Sequence, residues 1–283
     1  MNFTTVDLTP RIGTEVKCDL ATLLDGSIAK ELRALLEERG VLLFRGHEIS
    51  DEQQLAFGST LGTTRKEHGS PVMKVTADRS LSPIFAEYTQ GTYYFHIDGT
   101  YTDMPALASI LRARVVAPKG GQTEFANTYA LYDDLSEADK ALLEGLEAVH
   151  SQEVIQRKAF PDPTEEQLAH WGVGAVPEKT HPVVWHHRSG RKSLILANTI
   201  DHFVGMDRAE SDALLDRLLR MADEPQYIYT HDWQVGDMLI WDNTGTMHRV
   251  VPFDNDCGRD RDMQGIGGCF WGQRHLFKQR PGK

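Results

Sequence analysis

The chain has 283 residues and a net charge of −11, with 40% hydrophobic and 25% charged residues, enough for one large globular domain or two small ones. The acidic balance argues against a nucleic-acid partner, and no apolar run reaches the length needed to cross a bilayer. The opening residues MNFTTVDLTP lack the basic and apolar regions of a signal peptide, and three scattered cysteines, Cys18, Cys257 and Cys269, suit a reducing cytoplasm.

The first predicted element is a helix in SIAKELRALLEERG, capped by Ser27, with Ile28, Leu32, Leu35 and Leu36 on one face and Gly40 at its end. VLLFRG follows as a short buried strand. SDEQQLAFGSTLG opens a second helix with the capping-box pair Ser50 and Gln53. SEADKALLEGLEAVH and DRAESDALLDRLLRMAD predict two more amphipathic helices, capped by Ser136 and Asp207. Strands are predicted in ALASILRARVV, PVVWHH, SLILAN, QYIYTHDW and DMLIWDN. Between them, residues 151–181 contain Pro161, Pro163 and Pro177 and show weak periodicity, which predicts a long loop acting as a lid. No repeat or low-complexity linker divides the chain, so residues 1–283 are expected to form a single domain. Strands separated by short turns point to an antiparallel sandwich or barrel with helices outside.

In YYFHIDGTY, His96 and Asp98 lie two residues apart, which on a strand puts both side chains on one side. Imidazole and carboxylate together are ligands for a first-row transition metal, although H-x-D is common by chance. Far along the chain, GDMLIWDNTGTMHR supplies His248. Two imidazoles and one carboxylate occupy one face of an octahedron and leave three positions open, as Fe(II) needs when it binds O2 and a chelating cosubstrate. A closed zinc site would want four ligands. Thr123, just after a Gly-Gly turn, and Arg259, beyond His248, fit the same scheme. A buried dicarboxylate needs a cation at its far end, and a guanidinium supplies it with two parallel hydrogen bonds.

The segments VLLFRG, FHIDGTY, GGQTEFANTYALYDDL, SGRKSLIL, HDWQVGDMLIWDNTGTMHR and GRDRDMQGIGG together resemble the TauD/TfdA family of Fe(II)/2-oxoglutarate-dependent oxygenases. The resemblance implies a double-stranded β-helix, a jelly roll of mainly β structure with helices packed outside. It implies that His96, Asp98 and His248 hold iron, and that Thr123 and Arg259 bind the far carboxylate of 2-oxoglutarate. The implied reaction converts 2-oxoglutarate and O2 to succinate and CO2 while a small organic substrate is hydroxylated, with desaturation as a variant. Related halogenases lack the carboxylate ligand, so Asp98 argues against halogenation. Members are often homo-oligomers, and the same is expected here.

Many members place a second arginine four residues after the cosubstrate arginine, where it grips the substrate's anion. Met263 occupies that position here. Arg261 and His68 are then the candidates to hold a substrate anion, while Tyr93 and Met263 are candidates for the pocket wall. Asp242 and Asn243 read as turn formers that position His248. Two other readings stay open on the residues alone: a cupin-like isomerase or hydrolase that does not use 2-oxoglutarate, and a catalytically silent binding protein.

Overall fold

Met238, Ile240 and Asp242 alternate with Leu239 and Trp241 along one fully buried strand, and this alternation divides the molecule into layers. In the computed structural model, which describes residues 2–64, 72–76, 89–170, 176–254 and 257–267, the strands run in chain order as β1 (Thr4–Asp7), β2 (Thr14–Lys17), β3 (Val41–Phe44), β4 (Thr63–Thr64), β5 (Met73–Thr76), β6 (Ala108–Val115), β7 (Thr123–Asn127), β8 (Glu147–His150), β9 (Lys179–Pro182), β10 (Val184–His186), β11 (Lys192–Leu194), β12 (Ile200–Phe203), β13 (Ile228–His231), β14 (Met238–Asp242), β15 (Thr246–Val250) and β16 (Asp260–Gly267). The helices are α1 (Leu20–Leu24), α2 (Ala29–Arg39), α3 (Asp51–Leu61), α4 (Thr128–Asp134), α5 (Glu137–Leu143), α6 (Gln152–Ala159), α7 (Glu165–His170) and α8 (Arg208–Ala222).

The larger sheet has the order β1-β2-β3-β14-β6-β16, with β4 and β5 both paired to β16. A smaller sheet, β13-β7-β15, faces it. Leu239 and Trp241 point between the sheets and pack with Leu43, Leu111, Phe125 and Tyr229. On the outer face, Met238 and Ile240 meet Leu32 and Leu36 of α2 and Phe57 and Leu61 of α3. Behind the smaller sheet, Ala126 and Met247 join a third core with Leu214, Leu215 and Leu218 of α8. Two facing sheets, antiparallel except for the β2–β3 pair, with helices outside make the expected double-stranded β-helix. Among the described residues, no helix is long and apolar enough to cross a membrane.

Several local signals behave as the sequence predicts. Ser50 and Gln53 close their capping box, and the Ser136 and Asp207 side chains accept from backbone N–H groups in the first turns of α5 and α8. Gly40 ends α2 at φ 72°, in the left-handed region that favours glycine. Other expectations need correction. Ser27 does not cap α2; its N–H donates to Asp25 instead, and Ile28 holds the cap position without a side-chain bond. The helix predicted through His150 stops at Leu143, where Gly145 at φ 79° turns the chain into β8. In SLILAN, only the start belongs to a strand. Residues 151–181 are not a long loop: α6 and α7 lie within them, and β9 begins before their end.

Candidate active site

His96 does not lie on a regular strand. It follows a short 3-10 turn, Thr89–Tyr93, and forms a single bridge to β15. Its N–H donates to the His248 carbonyl at 2.9 Å, and the His248 N–H donates back at 2.9 Å. The two rings are thereby held with centroids 4.2 Å apart. Asp98 still comes to the same side, as the two-residue spacing predicts. One donor atom from each of His96, Asp98 and His248 lies within 4.8 Å of the others. No fourth carboxylate, thiolate or imidazole joins this cluster among the described residues.

Each donor is oriented by a neighbour. His96 donates its Nδ1–H to the Tyr94 carbonyl at 2.9 Å, which leaves the Nε2 lone pair for a ligand. The His248 ring packs beside Phe125 and Trp241, with Nε2 3.6 Å from Asp98 Oδ1. Burial, then the neighbouring His96, holds the His248 imidazole well below its usual pKa, so it is neutral and ready to bind a metal. Burial also raises Asp98, against the pull of His96 and its own hydrogen bonds.

The sequence reading missed the chain of donors behind Asp98. Trp241 Nε1 donates to Asn243 Oδ1 at 2.9 Å, Asn243 Nδ2 to Ser109 Oγ at 2.9 Å, and Ser109 to Asp98 Oδ2 at 2.6 Å. An indole N–H can only donate, so this direction is forced and every link aims a hydrogen at the carboxylate. Asp242 points the other way. It accepts from Thr244 N at 2.8 Å and from the Tyr129 hydroxyl at 2.7 Å, and burial lifts its pKa to about 6. The turn-forming role holds for Asp242, whereas Asn243 also braces the donor set. The hairpin between β14 and β15 fits only because residue 245 is glycine; a Cβ there would meet the Tyr129 ring at 1.6 Å.

Thr123 and Arg259 open onto the same cavity of about 160 Å³ as the three donors. Gly120 and Gly121 deliver Thr123 through two residues at positive φ, and a Cβ on Gly120 would strike the Pro252 carbonyl at 2.2 Å. Trp233 Nε1 donates to Thr123 Oγ1 at 3.0 Å, leaving the threonine proton for another acceptor. Arg259 is 2% exposed, its guanidinium lies over Phe253, and its Nε has no hydrogen-bond partner. Burial lowers its pKa to about 10, so it stays charged at neutral pH.

The remaining predicted residues separate. Met263 lines the cavity beside its strand neighbours Leu111 and Met73. Arg261 does not line it. A register shift between Asp260 and Arg261 precedes it, its guanidinium donates to the Val115 carbonyl at 2.6 Å, and it stacks over Trp233. Tyr93, predicted for the pocket wall, does not line the cavity either; its ring lies against Phe253 beside Arg259. His68 lies outside the described residues. The sequence reading also missed Ile155 and Gln156 of α6, which face the cavity.

The fold and the three-donor cavity define a class, the jelly-roll oxygenases that combine iron with 2-oxoglutarate. The model of the family described as taurine catabolism dioxygenase TauD, TfdA family matches residues 4–266. The (S)-phenoxypropionate/alpha-ketoglutarate-dioxygenase of Sphingobium herbicidovorans is 33% identical over 82% of this chain and 83% of its own. The alpha-ketoglutarate-dependent 2,4-dichlorophenoxyacetate dioxygenase of Cupriavidus pinatubonensis is 31% identical over 86% and 89%. The crystal structure of AAD-2 with Mn(II) and N-oxalylglycine superposes with a TM-score of 0.81 at 30% identity, covering 95% of this chain and 98% of that one. The chain belongs to the TauD/TfdA family and is an Fe(II)- and 2-oxoglutarate-dependent dioxygenase.

Proposed function

We propose that His96, Asp98 and His248 hold the ferrous ion and that Thr123 and Arg259 bind the far carboxylate of 2-oxoglutarate. The observation that carries this reading is that all five side chains reach one cavity. The donor set fits iron: two imidazoles and a carboxylate, with no fourth protein donor among the described residues, leave room for O2 and a chelating keto acid. When bound, the ion supplies the O2-driven decarboxylation of 2-oxoglutarate that is coupled to oxidation, in the first instance hydroxylation, of a small organic substrate.

The chain's own residues do the rest. Trp241, Asn243 and Ser109 hold Asp98 through the donor chain. Trp233 turns the Thr123 hydroxyl into a donor, and Arg259 meets the carboxylate with charge. A cupin-like isomerase or hydrolase would have no use for this anchor. The α6 segment, with Ile155 and Gln156 at the cavity, acts as the lid that keeps water from the reacting centre. The acidic surface and few cysteines favour a cytoplasmic enzyme, and we read it as a homo-oligomer that acts on neither nucleic acid nor membrane.

The test is succinate formation from 2-oxoglutarate with Fe(II), alone and with a panel of small carboxylates, sulfonates and neutral aromatics. Iron-dependent succinate that rises with a panel member is expected. Its absence under all conditions would remove the reading.

A further inference from the structure

The Thr123 hydroxyl takes its orientation from the Trp233 N–H, and Trp233 must take its own from elsewhere. The register of β13 on β7 sets His231 opposite Thr123, but β13 ends there, and Trp233 lies two residues on, in the connection to β14. No ladder fixes an indole in a connection, and its χ2 torsion is broad. Two side chains hold it instead. The Arg261 guanidinium lies over the indole, 4.5 Å from its centroid. The His231 ring meets it at a right angle, with centroids 4.6 Å apart and planes at 89°.

Both holders are themselves tied down. Asp237 Oδ2 accepts from His231 Nε2 at 3.0 Å and from the Gln234 N–H at 2.9 Å, which closes the connection of residues 232–237. Burial keeps the His231 imidazole neutral against the pull of Asp237, so Nε2 carries its one proton and Nδ1 accepts from the Tyr229 hydroxyl at 2.8 Å. Arg45, just after β3, donates to the same Asp237 carboxylate at 3.2 Å. Arg261 is fully buried and donates to the Val115 carbonyl at 2.6 Å, at the end of β6. Burial, then Arg259, lowers its pKa to about 9, so it keeps its charge at neutral pH. A buried cation is unfavourable between two sheets, and the negative face of an indole offsets part of that penalty.

We propose that Arg261 and His231 are positioning residues for the cosubstrate: they clamp the Trp233 indole so that its N–H holds the Thr123 hydroxyl turned toward the far carboxylate of 2-oxoglutarate. This rests on the function proposed above and extends it to side chains that do not line the cavity.

The test uses the purified enzyme with anaerobic Fe(II), and 2-oxoglutarate is titrated by the visible absorption of the complex. Binding by the unmodified enzyme, and its loss in Arg259→Ala, are measured first. Failure there overturns the underlying reading and the clamp with it; success leaves the clamp to be judged by its own variants. Trp233→Phe keeps a ring but removes the N–H, and should weaken 2-oxoglutarate about tenfold, the equivalent of one hydrogen bond. Arg261→Met should weaken it about fivefold on its own, and not at all when added to Trp233→Phe, because the clamp acts only through that N–H. 2-Oxobutyrate, which lacks the far carboxylate, should bind the unmodified enzyme and both single variants alike, a split that a merely structural role would not give. In the metal-free enzyme, exchange of the Trp233 indole N–H with water, followed by NMR and assigned by its absence in Trp233→Phe, should speed up in Arg261→Met. If Arg261→Met does not fold, His231→Gln, at the other contact, takes its place throughout. Unchanged 2-oxoglutarate affinity, a full loss that persists in the Trp233→Phe background, a matching loss for 2-oxobutyrate, or unchanged indole exchange would each overturn the proposal.

Discussion

His96 and His248 are direct backbone partners: each donates its N–H to the other's carbonyl at 2.9 Å, although 151 positions of sequence numbering separate the chain at these two points. The hydrogen bonds that close the fold here also set the distance between the two imidazoles proposed to hold the metal. Removing a donor side chain should leave this backbone bridge in place. Asp98→Ala and His248→Ala are therefore expected to fold, with unchanged circular dichroism, and to lose iron-dependent 2-oxoglutarate turnover. Activity like that of the unmodified enzyme in either variant would refute the assignment.

Ser109 touches Asp98 without reaching the metal position. Ser109→Ala removes the last donor of the Trp241–Asn243–Ser109 chain, and partners of metal ligands typically carry 10- to 100-fold in metal affinity or activity, so about that loss is expected. Asn243→Leu should give a loss of the same order, because Ser109 is then no longer held. Iron titration of both variants checks this; two normal affinities would show that the chain is ornamental.

In the proposed function, Arg259 supplies the charge for the far carboxylate. Leaving a buried anion without its partner costs roughly 3–5 kcal/mol, more than a hundredfold in affinity. Arg259→Ala should raise the 2-oxoglutarate KM by about that factor. An unchanged KM would move the anchor elsewhere.

The α6 segment should tighten over an occupied cavity. Amide exchange across Gln152–Ala159 is expected to slow when substrate joins the iron–2-oxoglutarate complex. Equal exchange with and without substrate would assign α6 to the static wall.

Acid should destabilise the fold through two buried histidines, starting above the pH range in which exposed carboxylates titrate. Burial, then His181, pushes His150 down to about 3, and burial, then Arg191, does the same to His187. Both are neutral in the folded chain but titrate near 6.5 when unfolded. Their contribution is complete above about pH 6.5 and is lost as pH falls toward 3, reaching roughly 2 kcal/mol for each by pH 5. Thermal unfolding from pH 7 to 5 should show a falling midpoint. His150→Gln, which cannot take a proton, should flatten that slope; an identical slope would mean that His150 titrates normally.

The cluster of His96, Asp98 and His248, and Thr123 and Arg259 on the same cavity, were legible from H-x-D, a glycine pair before Thr123, and the spacing of His248 and Arg259 late in the chain. Their supports were not. Ser109 sits in ALASILRARVV like any small residue of a buried strand, and only the β6–β14 register, which sets it opposite Trp241, gives it a task. Arg261 shared a predicted face with Met263, but the register shift before it and the Val115 carbonyl give it a different place. The helices within residues 151–181 were obscured by prolines that lie between and beyond them, at Pro161, Pro163 and Pro177. Gln156 packs on Gly91, from a distant turn, a contact that no local pattern announces.

Trp241, Asp242 and Asn243 carry three consecutive assignments at the end of β14: a wall of the cavity, a bond to Tyr129 on the opposite side, and the brace behind Asp98. With side chains alternating, insertion or deletion of one residue would trade Asp242 for its neighbours and turn an acid toward the metal in place of an amide. Chemical variety at these positions is thus open to descent by substitution, whereas a change of length there is closed. Divergence among enzymes built this way must be spent in the connections, where spacing does not count.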